Sequence, residues 1–249
     1  MAMSQLEGKT AVVTGGSDGI GLGAAVRLAQ EGAHVFITGR REAELDAAAK
    51  IVGSATAVPG DISVPADLDR LYEAVRARGR GLDVLFANAG IGGFGRLDEM
   101  DVDLLDRIYQ VNIRGTFLTV QKALPLLNEG SSVILNASVR ADDGWDGFGA
   151  YGASKAAIRL FGRTWANELK ERGIRVNTVS PGAISTPAVG KIVGKENAEA
   201  VEATFRAKVP LGRHGTVEEV AAAVSFLASP QSSFVLGTTL YVDGGENGI

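Results

Sequence analysis

Short apolar segments alternate with longer amphipathic segments along the chain, and this alternation restricts the possible folds more than any other feature. The apolar segments are rich in β-branched residues and apolar at nearly every position, as in strands buried on both faces of a parallel sheet. Seven such strands, separated by helix-patterned segments, predict a doubly wound α/β fold with a mostly parallel sheet and helices on both faces. The predicted strands lie in KTAVVTGG, HVFITG, ATAVPGD, LDVLFANAG, SSVILNAS, IRVNTVSPG and TTLYVDGG.

The length of 249 residues suits one large domain, and the sequence shows no internal repeat. We therefore expect residues 1–249 to form a single domain. The longest segment without a regular pattern runs from Gly182 to Pro210. Loops of that length usually serve a function, so residues 188–209 are predicted to be a substrate-binding loop that closes over the substrate as a lid.

Composition excludes several classes of function. There is no cysteine, which excludes disulfides, thiol catalysis and thiolate metal sites, and the two histidines are too far apart in sequence to indicate a metal site. The net charge is −4 and no basic stripe is present, which argues against a nucleic-acid partner. No apolar run approaches the roughly 20 residues needed to cross a membrane. We expect a cytoplasmic protein without a metal, a membrane association or a nucleic-acid partner.

A glycine-rich stretch, TGGSDGIG, follows the first predicted strand and spaces Gly15, Gly19 and Gly21 as G-x-x-x-G-x-G. Glycines let the backbone turn tightly and approach a pyrophosphate, whose negative charge is favoured by the N-terminus of the following helix. The spacing differs from the G-x-G-x-x-G dinucleotide pattern. By itself, the stretch fits either a dinucleotide site or a strand-to-helix turn without a ligand.

The stretch YGASK places Lys155 one helical turn after Tyr151, on the same helix face. A free phenol has a pKa of about 10, and burial would raise it further. A cation at about 4 Å supplies on the order of 4 kcal/mol at an effective dielectric constant of 20, enough to bring a phenol near neutrality. Ser138 ends the fifth predicted strand and Asn112 interrupts a long apolar helix pattern, although each alone also fits an ordinary structural role.

In combination these motifs resemble the short-chain dehydrogenase/reductases. TGGSDGIG, NAG at Asn88–Gly90, Asn112, Ser138, YGASK and SPG at Ser180–Gly182 occur in the order of that family and with compatible spacing. VDGG near the end extends the similarity over nearly the whole chain, and the resemblance is to the short branch of the family, without an extended C-terminal domain. It implies a Rossmann-like fold and an oxidoreductase that interconverts a carbonyl and a secondary alcohol by hydride transfer.

The same resemblance implies a role for each matching residue. Tyr151 is the catalytic acid/base, and Lys155 lowers its pKa and contacts the nicotinamide ribose. Ser138 polarises the substrate carbonyl, and Asn112 holds a water of a proton relay. The expected cofactor-binding residues, besides Tyr151 and Lys155, are Gly15, Ser17, Gly19, Ile20, Gly21, Arg40, Asp61, Ile62, Asn88, Ala89, Gly90, Pro181, Gly182, Ile184 and Thr186.

Cofactor choice depends on Gly39-Arg40-Arg41, at the end of the second predicted strand. An enzyme that uses NAD usually has an acid there that bonds the ribose 2′-hydroxyl. An arginine pairs with a 2′-phosphate through its planar fork of donors, and Ser17 can add a hydroxyl. The alternative is solvated charge at a helix start, where cations are slightly unfavourable. Because Asp18 stands where many NADP-preferring relatives have a base, we predict that NADP(H) is preferred and NAD(H) possible.

The substrate is less well defined by the sequence than the cofactor. Arg140, Trp145 and Phe148 are the predicted pocket residues, with Trp145 or Phe148 as an apolar wall, while the aspartates of the same segment equally fit a solvated turn. Besides a reductase of xenobiotic ketones, the alternatives are a sugar or polyol dehydrogenase and a 3-oxoacyl-carrier-protein reductase. A non-enzymatic alternative is a dinucleotide-sensing regulatory protein. A basic patch for an acyl carrier protein can come from Arg140, Arg206, Lys208 and Arg213.

The helix pattern from Ser154 to Arg172 is apolar over a wider arc than one buried face needs. Members of the family that the chain resembles pair this helix across a two-fold axis. We therefore expect a homo-oligomer, predicted as a tetramer, with a dimer as the alternative. The wide arc comprises Ala156, Ala157, Leu160, Phe161, Thr164, Trp165 and Leu169.

Overall fold

A computed structural model of the chain describes residues 4–186 and 195–249. Within these ranges, seven strands form one sheet in the order β3-β2-β1-β4-β5-β6-β7, and every adjacent pair is parallel. This confirms the predicted doubly wound α/β fold. The strands are β1 (Thr10–Thr14), β2 (His34–Gly39), β3 (Ala55–Pro59), β4 (Leu82–Ala87), β5 (Leu127–Asn136), β6 (Arg175–Pro181) and β7 (Thr239–Val242).

Helices cover both faces of the sheet, which explains why its strands are apolar without alternation. Consecutive strand residues point to opposite faces, so Val12 and Leu85 lie in one buried cluster and Val13 and Phe86 in the other. The first cluster includes residues of α3, α5 and α6, and the second includes residues of α1, α2 and α8. The helices are α1 (Gly19–Gln30), α2 (Glu42–Val52), α3 (Pro65–Ala77), α4 (Val102–Ile108), α5 (Thr116–Ala123), α6 (Gly149–Leu169), α7 (Lys195–Arg206) and α8 (Val217–Ala228).

The strand order reverses between β1 and β4. From β1 the chain adds β2 and β3 on one side, and it then returns to place β4 on the other side of β1. At such a switch point the connections leave the sheet in opposite directions and open a crevice at the carboxyl ends of the strands. The glycine-rich stretch after β1 and the NAG stretch after β4 therefore meet at this crevice.

The segment predicted as one long helix is divided into α4 and α5 by a π-helical turn over Tyr109–Gly115. Asn112 lies in this wider turn and is almost fully buried. A single π turn inside a helix often accompanies a functional residue. Asn112 is a polar interruption of the apolar pattern, but the helical period continues on both sides of it, so the π turn was not predicted.

The predicted lid at residues 188–209 is only partly described. Residues 187–194 lie outside the described residues, whereas α7 covers residues 195–206. Closure over a substrate therefore stays a prediction, as does the single-domain assignment for residues 1–249. No helix in the described part of the chain is long and apolar enough to cross a membrane.

Candidate active site

A groove with a cavity volume of about 690 Å³ follows the carboxyl ends of the strands. All residues expected to bind the cofactor line it, apart from Gly21. Of the expected catalytic residues, Ser138, Tyr151 and Lys155 line the groove, whereas Asn112 lies behind its surface. The structure thus gathers residues from seven loops and helix ends into one site.

The glycine turn after β1 is shaped for close backbone approach. Gly15 has φ +67°, and a Cβ there would lie 3.0 Å from Ala89 Cα. A Cβ on Gly21 would overlap the Gly15 carbonyl oxygen, so this glycine lets α1 pack against the turn. Asp18 precedes α1 without capping it through its side chain. A glycine-rich turn that allows close backbone approach, followed by a helix N-terminus, fits a dinucleotide pyrophosphate.

Three expected catalytic side chains meet at the other end of the groove. Ser138 follows β5, and Tyr151 and Lys155 lie on successive turns at the start of α6. The Ser138 side chain lies close enough to the Tyr151 hydroxyl to lower its pKa. Lys155 Nζ lies 5.7 Å from the centre of the Tyr151 ring and donates a 2.8 Å hydrogen bond to Asn136 O. Gly152 permits this assembly, because a Cβ there would lie 2.6 Å from Arg140 O.

Burial dominates the electrostatics of the tyrosine and the lysine. It raises the pKa of Tyr151, and the Ser138 hydrogen bond and the Arg140 charge offset this only in part. Burial also lowers the pKa of Lys155 to about 8. From the sequence, a Tyr151 pKa near neutrality was expected. In the protein alone, however, desolvation disfavours the charged forms of both Tyr151 and Lys155.

The side chain of Asn112 links the NAG loop to α6 through hydrogen bonds. Its Oδ1 accepts from Ile91 N at 2.8 Å, and its Nδ2 donates to Ile91 O and to Ser154 Oγ, both at 3.0 Å. Ser154 Oγ in turn donates to Tyr151 O at 2.7 Å. The side chain of Asn112 thus positions the catalytic helix, and its part in a proton relay stays a prediction.

Asn136 was not predicted from the sequence, yet it joins both halves of the site. Its main-chain oxygen accepts from Lys155, and its Nδ2 donates to Asn88 Oδ1 at 2.9 Å. Asn88 Nδ2 donates to Thr14 O at 2.9 Å, which ties β4 to the start of the glycine turn. The available signal was a polar residue at the carboxyl end of a buried strand, two residues before Ser138.

Arg40 and Arg41 line the groove at the end opposite the catalytic residues, and their environments differ. Arg41 pairs with Asp18 at 3.2 Å and with Glu44 at 3.0 Å. Arg40 is 58% exposed at its side chain, and its described ion pair is a long one, 3.9 Å from Nη1 to Asp61 Oδ2. A Cβ on Gly39 would lie 3.3 Å from Ser17 Oγ, so this hydroxyl is adjacent to the Arg40 backbone. Arg40 is the more accessible of the two cations.

The predicted substrate pocket needs a correction. Phe148 lines the groove, whereas Arg140 and Trp145 are not among the described lining residues. Arg140 is only 7% exposed, because its guanidinium points into the protein and forms ion pairs there with Asp143 and Glu246. Trp145 lies behind the pocket surface, under this guanidinium, which is 4.1 Å from the ring centre.

Phe205 and His214 are among the groove residues that were not predicted from the sequence. Phe205, on α7, faces the groove together with His214, which follows that helix. The His214 Nε2 lies 2.9 Å from Glu202 O, so the histidine helps to hold α7. Neither residue belongs to a recognisable sequence motif. Their position at the groove depends on how α7 packs, which the sequence pattern does not show.

The chain is similar to known oxidoreductases over nearly its whole length. A family model described as enoyl-(acyl carrier protein) reductase matches residues 15–247. Oxidoreductase asL5 of Sarocladium schorii is 44% identical over 98% of both chains, and 3beta-hydroxysteroid dehydrogenase 1 of Eggerthella lenta is 38% identical over 96% of this chain and 94% of its own. A crystal structure of a short chain dehydrogenase from Burkholderia cenocepacia in complex with NADP is 34% identical, with a TM-score of 0.89 over 98% of this chain and 99% of that one.

Fold, groove and relatives together define an oxidoreductase that acts on CH–OH or C=O groups of small molecules with a nicotinamide dinucleotide. The chain belongs to the short-chain dehydrogenase/reductase family.

Proposed function

We propose that the protein is an NADP(H)-preferring oxidoreductase that interconverts a ketone and a secondary alcohol, with Tyr151 as the acid/base. The observation that carries the proposal is the meeting of Ser138, Tyr151 and Lys155 at the groove surface, where Ser138 acts on the pKa of the Tyr151 hydroxyl and Lys155 lies on the next turn of α6. Two neighbouring hydroxyls, those of Ser138 and Tyr151, can both donate hydrogen bonds to a carbonyl oxygen and stabilise the negative charge that develops on it.

The roles of the chain's own groups follow from their environments. A bound nicotinamide cofactor supplies or accepts the hydride. In reduction, Tyr151 gives its proton to the carbonyl oxygen while Ser138 donates a hydrogen bond to the same atom. Because burial raises the pKa of Tyr151, the phenol holds its proton at neutral pH, as this direction requires. Lys155, held by Asn136 O, places its charge near the phenolate that remains.

Preference for NADP(H) is supported by the accessible guanidinium of Arg40 and by the Ser17 hydroxyl beside it. Arg41 already has two carboxylate partners, whereas the ion pair that the described residues give Arg40 is the long contact with Asp61. An arginine in this state gains a strong, charge-assisted interaction from a 2′-phosphate. The NADP complex of the relative from Burkholderia cenocepacia is consistent with this proposal.

The acyl-carrier-protein alternative loses support from the environment of its basic patch. Arg140 is buried and neutralised, and Arg213 forms a two-pronged pair with Glu219, at 2.7 and 2.9 Å. Arg206 and Lys208 remain as exposed cations on and after α7. We therefore favour a free small-molecule ketone over a carrier-bound substrate.

Cofactor consumption with a broad ketone and alcohol panel tests the proposal, with Tyr151→Phe as the diagnostic variant. We expect turnover by the wild type, and a loss of at least a thousandfold in kcat for Tyr151→Phe with NADPH affinity retained within about threefold. Tight NADPH binding without turnover of any substrate in either direction would instead identify a dinucleotide sensor. Near-normal turnover by Tyr151→Phe would contradict the acid/base assignment.

A tetramer remains part of the proposal, supported by an aromatic surface on α5 and α6. Phe161 and Trp165 stack with ring centres 4.6 Å apart, and Phe117 packs edge-on against both. Beside them, Leu160 is 63% exposed. A second exposed apolar site lies before β7, at Phe234 and Leu236. Two such surfaces fit two separate two-fold interfaces.

A further inference from the structure

Four aromatic side chains form one cluster beside the catalytic tyrosine, and we call it the aromatic wall: Phe94, Trp145, Phe148 and Phe205. Phe148 is its centre, with ring centres 5.7 Å from Phe94, 6.2 Å from Trp145 and 6.2 Å from Phe205. Trp145 and Phe205 are 5.3 Å apart. The members come from three separate parts of the chain, so the wall exists only in the folded protein.

The aromatic wall extends to the ring of the catalytic tyrosine. The Phe148 ring lies 6.3 Å from the Tyr151 ring in an edge-to-face arrangement. Phe148 and Phe205 line the groove at this end, and their rings contact those of Phe94 and Trp145. A substrate whose carbonyl oxygen meets Ser138 and Tyr151 therefore has its body against aromatic rings.

The carboxylates near the wall are occupied by contacts within the protein. Asp142 pairs with Arg159 and accepts from Tyr241 Oη at 3.0 Å. Asp143 and Asp146, the other acids of the loop before α6, pair with Arg140 and Arg96. A polyol site instead needs polar partners for several hydroxyls, because each buried unpaired hydroxyl is costly.

Resting on the function proposed above, we propose that the substrates are ketones and secondary alcohols that carry an apolar ring next to the reacting carbon. Such a ring packs against Phe148 and Phe205 in stacked or edge-on geometries, which aromatic rings favour over contact with a flexible alkyl chain. A ring also loses less conformational freedom on binding than a linear chain of equal carbon number. Sugars and polyols are excluded from this class.

Methyl ketones with equal numbers of carbon atoms test the substrate class: acetophenone, cyclohexyl methyl ketone and 2-octanone, with fructose as the sugar. We expect kcat/KM for the ring ketones to exceed that of 2-octanone by at least about tenfold, and no turnover of fructose. Phe148→Leu and Phe205→Leu keep an apolar side chain but lose the aromatic face, and should reduce the ring preference about two- to tenfold. Phe226→Leu, on α8 outside the groove, is the matched control and should leave it unchanged.

The outcomes separate this class from the underlying function. Equal kcat/KM for acetophenone and 2-octanone, or a preference for fructose, would overturn the ring class while leaving the oxidoreductase intact. An unchanged ring preference in both leucine variants would overturn the role of the wall. Absence of turnover with every ketone and alcohol, in both directions, would overturn the proposed function itself.

A separate observation concerns the buried ion pair of Arg140 and Glu246, which are 106 positions apart in the chain. Arg140 N donates to Ser138 Oγ at 3.2 Å, in the short turn that follows β5. On the other side of the pair, Ala183 N donates to Glu246 Oε2 at 3.2 Å. Gly182 permits this approach, because a Cβ there would lie 2.7 Å from the same oxygen.

The ion pair thus links two parts of the groove. Arg140 holds Ser138, the serine proposed to polarise the carbonyl, and Glu246 holds the segment after β6. Both side chains are nearly fully buried, at 8% and 6% exposure. Breaking a buried pair leaves an uncompensated charge, so the pair holds its geometry firmly. We infer that Arg140 and Glu246 are positioning residues that fix the Ser138 hydroxyl relative to the Gly182–Ala183 backbone.

Glu246→Gln, Arg140→Gln and the double variant test this positioning role. We expect each single change to lower kcat at least tenfold, with KM for NADPH within about threefold, and to increase the isotope effect on kcat with NADPH deuterated at C4. The double variant removes both charges and should recover thermal stability but not kcat. Glu73→Gln, which breaks the exposed Glu73–Arg76 pair on α3, is the matched control and should change neither.

Two results would overturn the positioning role. One is recovery of kcat in the double variant together with thermal stability. The other is loss of stability in the single variants with kcat and the isotope effect unchanged. Either result would reduce the pair to a contribution to folding alone.

Discussion

Replacing Lys155 by methionine is expected to stabilise the cofactor-free protein at neutral pH while abolishing turnover. Lys155 is 5% exposed, and burial lowers its pKa from 10.5 to about 8. At about 1.4 kcal/mol per pKa unit, this shift corresponds to roughly 3 kcal/mol of destabilisation by the buried charge. Methionine has a similar length but loses the hydrogen bond to Asn136 O, a cost of about 1 kcal/mol. The net gain is therefore about 2 kcal/mol.

The sign of the pH dependence follows from the direction of the shift. The folded-state pKa of Lys155 lies below the unfolded value, so the unfolded state binds more protons between about pH 8 and 10.5. Wild-type stability gains from this group as the pH rises through that window. The advantage of Lys155→Met is therefore complete below about pH 8, shrinks through the window and vanishes above it.

Urea unfolding of both proteins at pH 7 and pH 9.5, at equal protein concentration, measures this advantage. Lys50→Met, at an exposed lysine of α2, is the matched control and should change the unfolding free energy by less than about 0.5 kcal/mol at either pH. A Lys155→Met protein that is less stable than wild type at pH 7 would refute the reasoning. So would an advantage that is the same at both pH values.

Three further predictions concern other parts of the molecule. Arg40→Ala should weaken NADPH binding by about ten- to a hundredfold and leave NADH binding within about threefold, and adding Gly39→Asp should reverse the preference; unchanged NADPH affinity in a titration would contradict the 2′-phosphate assignment. In sedimentation at micromolar concentration the wild type should be a tetramer and Leu160→Glu a smaller species, whereas a wild-type monomer would be incompatible with the proposed assembly. Gly147→Ala should cost more unfolding free energy than Gly53→Ala, because both have positive φ but only at Gly147 would a Cβ overlap another side chain, the Phe94 ring; equal losses in urea would show that the contact is immaterial.

The fold and most of the groove were accessible from sequence because the relevant signals are local. A strand buried on both faces is apolar at every position, and the residues just after such strands lie at the ligand-binding edge of the sheet. Gly15, Ser138 and Pro181 all fall at or directly after the carboxyl ends of strands, so their order along the chain was sufficient to bring them together.

Properties that depend on distant partners could not be inferred in this way. Arg140 was predicted to face the substrate, but a partner 106 positions away in the chain holds it inside the protein. The pKa of Tyr151 was expected to fall through the charge of Lys155, but burial, which raises this pKa, is the larger effect in the folded protein. The π turn around Asn112 was not predicted, and the bonds of this side chain to Ile91 and Ser154 join residues that are far apart in the chain.

The most direct test of the central claim is to follow the hydride itself. Wild-type protein and Tyr151→Phe are incubated with cyclohexyl methyl ketone and NADPH that carries deuterium at both C4 positions, and the alcohol is analysed by mass spectrometry. The account predicts one deuterium on the carbinol carbon with the wild type, and almost no alcohol with Tyr151→Phe, although that variant still binds NADPH. Alcohol without deuterium, or equal yields from both proteins, would contradict a hydride transfer in which Tyr151 supplies the proton.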